Sequence, residues 1–257
     1  MLDKLLSSKL GEPIQKHLYS ELAYCRHHDA AETLLKRFSK IPQEHRSTVL
    51  YALLIHPEQA SALIAAVKKK RLTLQDLGAH VLQQLLAYPD PAVAGSAKLL
   101  YEKERQSIQS ITSIASDLEK PGDSKKGKEL YQKNCGLCHK AGGEGKDLGP
   151  NLTYLALQAP EKWINQVLDH QNSQDETDRL YYVTARNNEV YFGTVLRETS
   201  DGILLRNWQE DREIRRPDIL KIIPTSATLM PDKLDILGGA VYRDIAAFIK
   251  STAKKGT

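Results

Sequence analysis

The stretch Cys135-Gly136-Leu137-Cys138-His139 gathers two thiols and an imidazole into five consecutive residues, a density of ligands that suits covalent or metal chemistry. Two cysteines two residues apart, followed at once by histidine, have the spacing of a c-type haem attachment. Each thiol can add across one haem vinyl group, and the short turn holds both sulfurs on one porphyrin edge. His139 can then reach the iron from one face as proximal ligand. Two other chemistries use such a cysteine pair. A dithiol redox motif follows a strand in a βαβ pattern, whereas the residues ahead of Cys135 read as helix. A structural zinc site needs four Cys or His ligands; the remaining cysteine is Cys25, and His170 is the one histidine after His139.

These ligands need elements to hold them. Asp123 opens a helix, Ser124-Lys125-Lys126-Gly127-Lys128-Glu129-Leu130-Tyr131, that runs into Cys135. Behind the motif lie two loop signals, Gly142-Gly143-Glu144-Gly145 and Gly149-Pro150-Asn151-Leu152, and then a helix from Pro160 to about Leu168 carrying Trp163. An indole beside a haem commonly donates to a propionate; plain packing explains Trp163 equally well. The last helix, Val241 to Ile249, is apolar at Val241, Tyr242, Ile245, Ala246, Phe248 and Ile249. Of the two methionines, Met1 is the initiator position, so Met230 is the one internal thioether, stiffened by Pro231 and preceded by polar Ser226 and Thr228. Met230 as a core residue is the competing reading. His170 is the runner-up sixth ligand, and bis-His ligation would lower the potential relative to His/Met.

Between the middle helix and Met230 the pattern changes period. Leu180-Tyr181-Tyr182-Val183-Thr184 and Val190-Tyr191-Phe192-Gly193-Thr194-Val195-Leu196 are β-branched and aromatic runs flanking Asn187-Asn188, a hairpin signal. Ser200-Asp201-Gly202 turns into Ile203-Leu204-Leu205, and Ile214 and Ile219 to Ile223 suggest further strands. An antiparallel insert of four or five strands is expected, at about 178–224. Tyr181, Tyr182, Tyr191 and Trp208 could form an aromatic platform, although strand alternation sends half of such residues to the core.

Residues 1–104 read as helices joined by tight turns. The stretches around Ile14–Leu22 and Leu74–Leu86 carry one-sided apolar stripes, and Val49–Leu54 is apolar nearly all round. Turn-like segments at Arg26–Ala31, Ile55–Ala60 and Ala87–Ala92 each separate two helical stretches and recur about every thirty residues. Such helix pairs cannot bury an apolar face alone and must stack. They resemble about three HEAT-type α-solenoid repeats; an irregular α-bundle is the alternative. His17, His27, His28, His45, His56 and His80 are scattered over different helices and read as exposed or satisfied residues. Lys68-Lys69-Lys70-Arg71 reads as a solvated helix C-terminus, and Cys25 as a small buried hydrophobe. Residues 105–121 continue as a polar helix up to the break Lys120-Pro121-Gly122-Asp123.

The segment from residue 122 to the end resembles a class I cytochrome c. In that family a small residue, matched by Gly127, allows the first helix to cross the last closely, and an aromatic, matched by Tyr131, packs at the crossing. The resemblance implies that the Pro150 carbonyl receives the free N–H of His139, which fixes the tautomer and raises ligand basicity. It also implies that Leu152 touches the haem face and that Met230, in a Met-Pro step ahead of the last helix, is the distal ligand. With helical repeats in front and a β insert inside, nearly the whole chain resembles the planctomycete-type haem-binding domain, found at the C-terminus of large exported proteins, often behind HEAT repeats and a sugar-dehydrogenase-like propeller. No propeller is present in this sequence.

The expected fold class is therefore mainly α: an N-terminal HEAT-like α-solenoid over 1–104, a linker helix over 105–121, and a class I cytochrome c-like α domain over 122–257 carrying the small antiparallel β insert. The length supports one or two such units with substantial cores. A net charge of +4 on 36 basic and 32 acidic residues gives neither half the surplus of a nucleic-acid binder. No apolar run is long enough for a transmembrane helix, and Met1-Leu2-Asp3-Lys4-Leu5 lacks the pattern of a signal peptide. Haem c is attached outside the cytoplasm. The expectation is thus a periplasmic or otherwise extracytoplasmic protein, seen here as a mature form, an expression product or a C-terminal piece, the last two favoured. Its expected role is single-electron transfer through one covalently attached haem c ligated by His139 and Met230, with a dehydrogenase or fused domain as donor and a second redox protein as acceptor. A peroxidase-like open haem and a redox- or ligand-sensing module are the rival classes.

Overall fold

The three turn segments in the first half break its helices into pairs. In the computed structural model, which describes residues 11–25, 27–105, 109–168, 179–207 and 211–253, α1 (Glu12–Tyr24) is followed by α2 (His28–Lys36), α3 (Gln43–Ala52) by α4 (Pro57–Lys68), and α5 (Leu74–Leu86) by α6 (Pro91–Arg105). Local chemistry sets the starts. Pro57 and Pro91 open α4 and α6, where a missing N–H costs nothing. Thr73 caps α5 in a reciprocal box with Asp76. Stacking supplies the rest: α1 packs on α3 and α3 on α5 in one row, α2 on α4 and α4 on α6 in a second. Leu34, Leu50, Leu53, Leu63 and Leu82 fill the space between the rows, each worth about 1.5–3 kcal/mol of burial.

One side-chain reading in this half needs correction. Cys25 is exposed, because it follows the last turn of α1 and leaves the apolar stripe. His45, His56 and His80 are all buried; His45 stacks on Tyr19 with ring centroids 5.5 Å apart, so its position on the inner face of α3 outweighs its polarity. Lys68, Lys69, Lys70 and Arg71 are exposed at the end of α4, with Arg71 paired to Glu32 at 2.6 Å.

The polar helix expected after residue 105 is a separate short element, α7 (Ile111–Leu118), capped by Ser110. Ile114, Ala115 and Leu118 bury one face of it against the last two helices of the chain's second half. These are α9 (Pro160–Leu168) and α10 (Gly238–Ala253). The second half begins at α8 (Ser124–Asn134), capped by Asp123, and α8 crosses α10. At that crossing Tyr131 is fully buried against Phe248, with ring centroids 5.1 Å apart.

The β element is a single five-stranded antiparallel sheet of β1 (Arg179–Ala185), β2 (Val190–Glu198), β3 (Gly202–Arg206), β4 (Asp211–Arg215) and β5 (Ile219–Thr228), in the order β4-β3-β2-β1-β5. The Asn187-Asn188 turn pairs Thr184 with Val190 and Tyr182 with Phe192, and Asn188 takes the positive φ that the turn needs. Alternation divides the sheet. Leu180, Tyr182 and Phe192 join the main core, whereas Val183, Ile203, Leu205 and Ile214 form a small core on the opposite face. Tyr182 packs on Tyr88 and its hydroxyl donates to Gln84 O, while Val190 N donates to Ile55 O at 2.8 Å. The sheet thereby rests on the first half. β5 runs to Thr228, beyond the expected end of the insert near 224. The strand continues through Pro224 because β5 is an edge strand, where a missing N–H is tolerated. Trp208, His170, residue 178 and the N-terminal Met1–Leu5 lie outside the described residues. Together the elements make a mainly helical chain with one antiparallel sheet.

Candidate haem site

Cys135 ends α8, its N–H bonded to Tyr131 O at 2.8 Å. The next residues fold into a tight turn: His139 N donates to Cys135 O (2.9 Å) and Cys138 N to the same oxygen (3.1 Å). The Tyr131 hydroxyl donates to His139 O at 2.6 Å, so the crossing residue also pins the turn. The glycine-rich loop then closes over the motif, with Leu148 N and Gly149 N both donating to Cys138 O at 2.9 Å. A helix, not a strand, precedes the cysteines.

The loop brings Pro150 O to 2.8 Å from His139 Nδ1. A carbonyl only accepts, so Nδ1 carries the proton and the lone pair sits on Nε2. Another part of the wall comes from the end of β5 and the residues after it. Thr225 Oγ1 donates to Leu180 O (3.0 Å) and accepts from Ala227 N (3.0 Å), and the Thr228 hydroxyl donates to Met230 O at 3.0 Å. The sheet therefore acts as the arm that carries Met230 inward.

Cys135, Cys138, His139, Pro150, Leu152, Trp163 and Met230 all line one cavity of about 400 Å³, within the range of about 300–1,000 Å³ for small-molecule sites. Leu155, Tyr242, Ile245 and Ile249 make much of the remaining wall apolar. Trp163 is buried and meets Tyr242 edge-to-face, with centroids 5.7 Å apart, an arrangement that serves packing whether or not the indole also donates. Burial pushes the Cys135 thiol up to about 12, and the neighbouring Cys138 adds to that; burial pushes Cys138 itself up to about 11. A thioether in this wall would carry no charge. Among the described residues no group of three or more His, Cys, Asp and Glu side chains converges on a point. An imidazole, a thioether and two thiols lining one largely apolar cavity are a set of groups that could hold a haem.

Among the wall residues that the sequence reading did not place at the site are His80, Gln83, Asn134 and Tyr242. His80 and Gln83 come from α5, far away in the chain. The only hint was Gly78, an isolated glycine inside a helical pattern. Burial lowers His80 to about 4, so its imidazole is neutral.

The cytochrome c family model matches residues 124–192, from the start of α8 into β2. The matched segment contains the Cys135–His139 motif, Pro150, Leu152 and Trp163; Met230 and α10 lie beyond it. No curated protein matches the chain. The match supports a cytochrome c-like module of the kind that binds haem and carries electrons.

Proposed function

We propose that this chain is an extracytoplasmic monohaem c-type cytochrome that passes single electrons, with iron held between His139 and Met230. The observation that carries the reading is the convergence of Cys135, Cys138, His139 and Met230, from two distant parts of the sequence, on one apolar cavity. The bound group would supply reversible one-electron chemistry at iron. The protein's own residues would do the rest. Cys135 and Cys138 would anchor the porphyrin edge as thioethers. His139, oriented by Pro150 O, would present Nε2. Met230, held by Thr228, would present its thioether sulfur. Leu152, Leu155, Ile245 and Ile249 would keep water out, which together with the ligands would tune the potential. With His139 and Met230 both holding the group, the site would leave no place for a substrate, and its role would be transfer rather than turnover.

The paired helices of the first half are read as HEAT-type repeats, a scaffold against which a donor dehydrogenase or fused domain and a downstream acceptor would dock transiently. Extracytoplasmic location follows from where haem c is attached; among the described residues no helix is long and apolar enough to cross a membrane.

The test is covalent attachment. The chain is produced by export with a haem-attachment system and then denatured. Haem that stays with the polypeptide, one per chain by mass, and is lost in Cys135→Ala/Cys138→Ala, supports the reading. Haem that dissociates on denaturation, or a mass without haem, contradicts it.

A further inference from the structure

The cavity is not walled by the cytochrome c-like half alone. Helix α5 interrupts its regular geometry at Gly78, with φ 76° and ψ 163°, a region open essentially to glycine. Space is not the reason for glycine: an added Cβ would meet Asn134 Oδ1 at 3.6 Å, an ordinary contact. The backbone angle is. After the kink, His80 and Gln83 stand three residues apart on one face of the helix, and both line the cavity.

Each holds a different side of the site. His80 Nε2 lies 3.3 Å from the carbonyl of Asn134, the residue before Cys135; a carbonyl only accepts, so the imidazole donates. Gln83 Nε2 donates to Thr228 O at 3.1 Å, and the Thr228 hydroxyl donates in turn to Met230 O. One helix of the first half therefore ties down both the chain entering the cysteine pair and the chain entering the methionine. Gln83 is only 3% exposed, and its Oε1 is buried without a hydrogen-bond partner among the described residues. An unmet buried acceptor is unfavourable, and methionine or leucine in the same space would avoid it. What glutamine provides instead is the amide donor to Thr228.

We infer that helix α5 is part of the haem site, with Gln83 as the residue that positions the Met230 loop and His80 as its counterpart on the cysteine side. The inference rests on the haem reading above and extends the site to residues outside the matched segment. The first half is then not a detachable platform. A partner that shifts α5 shifts the sulfur ligand, so docking on the helical half couples to the potential of the haem.

The test uses the full chain carrying haem, with Gln83→Met, Gln83→Glu and, as control, Val81→Ala. Gln83→Met keeps the length and loses the donor. Gln83→Glu places an acceptor against Thr228 O. Val81 is a buried residue of the same helix that does not line the cavity. Haem content per chain is measured first. A wild type without covalent haem removes the underlying reading and this inference with it. With haem in place, both Gln83 variants are expected to lose the weak far-red sulfur-to-iron band at a lower pH than wild type and to show a lowered reduction potential. Val81→Ala is expected to lower the thermal midpoint and leave band and potential in place. If Gln83→Glu does not accumulate, Gln83→Met alone decides. Gln83→Met with wild-type band, pH profile and potential, or a Val81→Ala shift as large as that of Gln83→Met, overturns the inference.

Discussion

Gly127 of α8 lies so close to Asp244 of α10 that an added Cβ would stand 1.9 Å from the Asp244 carbonyl oxygen and 2.6 Å from its carbon. The crossing that sets the back of the haem cavity is thus backbone on backbone, and no side chain can move aside to make room. Overpacking a well-filled site costs about 1–3 kcal/mol, and Gly127→Ala is expected at or above the top of that range, because the helices must part. Denaturant unfolding of the haem-loaded protein measures it. A midpoint equal to wild type would mean that the two helices do not meet at this spacing.

The same crossing contains a buried carboxylate. Burial alone would raise the pKa of Asp244, but the Asp123 backbone N–H and the Lys126 and Arg243 side chains outweigh it and hold the group below its usual 3.8. A folded pKa below the unfolded one means that the unfolded chain binds the proton more tightly. The stabilisation is therefore complete above about pH 4 and is lost as pH falls through the folded value. Asp244→Asn is expected to cost about 1–3 kcal/mol at neutral pH, with the gap to wild type narrowing below pH 4. A gap that stays constant into acid would rule out the carboxylate's charge as its source.

As sixth ligand, Met230 would also set access to the iron. Wild type is expected to bind cyanide slowly, at the rate at which the Met230 loop opens, and Met230→Ala to bind it many times faster. Stopped-flow mixing reads both. Equal, fast rates would favour the open-face, peroxidase-like class.

How much of this was legible in the sequence depended on distance along the chain. Cys135 to His139 is contiguous, so the turn that groups these residues is local and could be read directly. Pro150 and Leu152 follow within the same loop. Met230 is remote; what singles it out is that the sequence holds no other internal methionine and that a Met-Pro step stands ahead of the last helix. Four or five strands were legible as β-branched and aromatic runs, but β5 runs past the expected end near 224, since nothing local says which strand lies at an edge. His80 and Gln83 were invisible for a stronger reason. Their roles depend on how α5 docks on the second half, and a histidine in a helical pattern looks the same whether it meets solvent or Asn134 O. Cys25 failed in the opposite way, since its place just past the last turn of α1 put it outside the stripe that its neighbours share.

The most direct measurement is the absorption spectrum of the exported protein, oxidised and reduced, recorded beside that of Met230→Ala. The account predicts a low-spin wild type with the weak far-red band of a sulfur–iron bond, and loss of that band in the variant with covalent haem retained. A high-spin wild type, or a spectrum that Met230→Ala leaves unchanged, would contradict ligation by His139 and Met230.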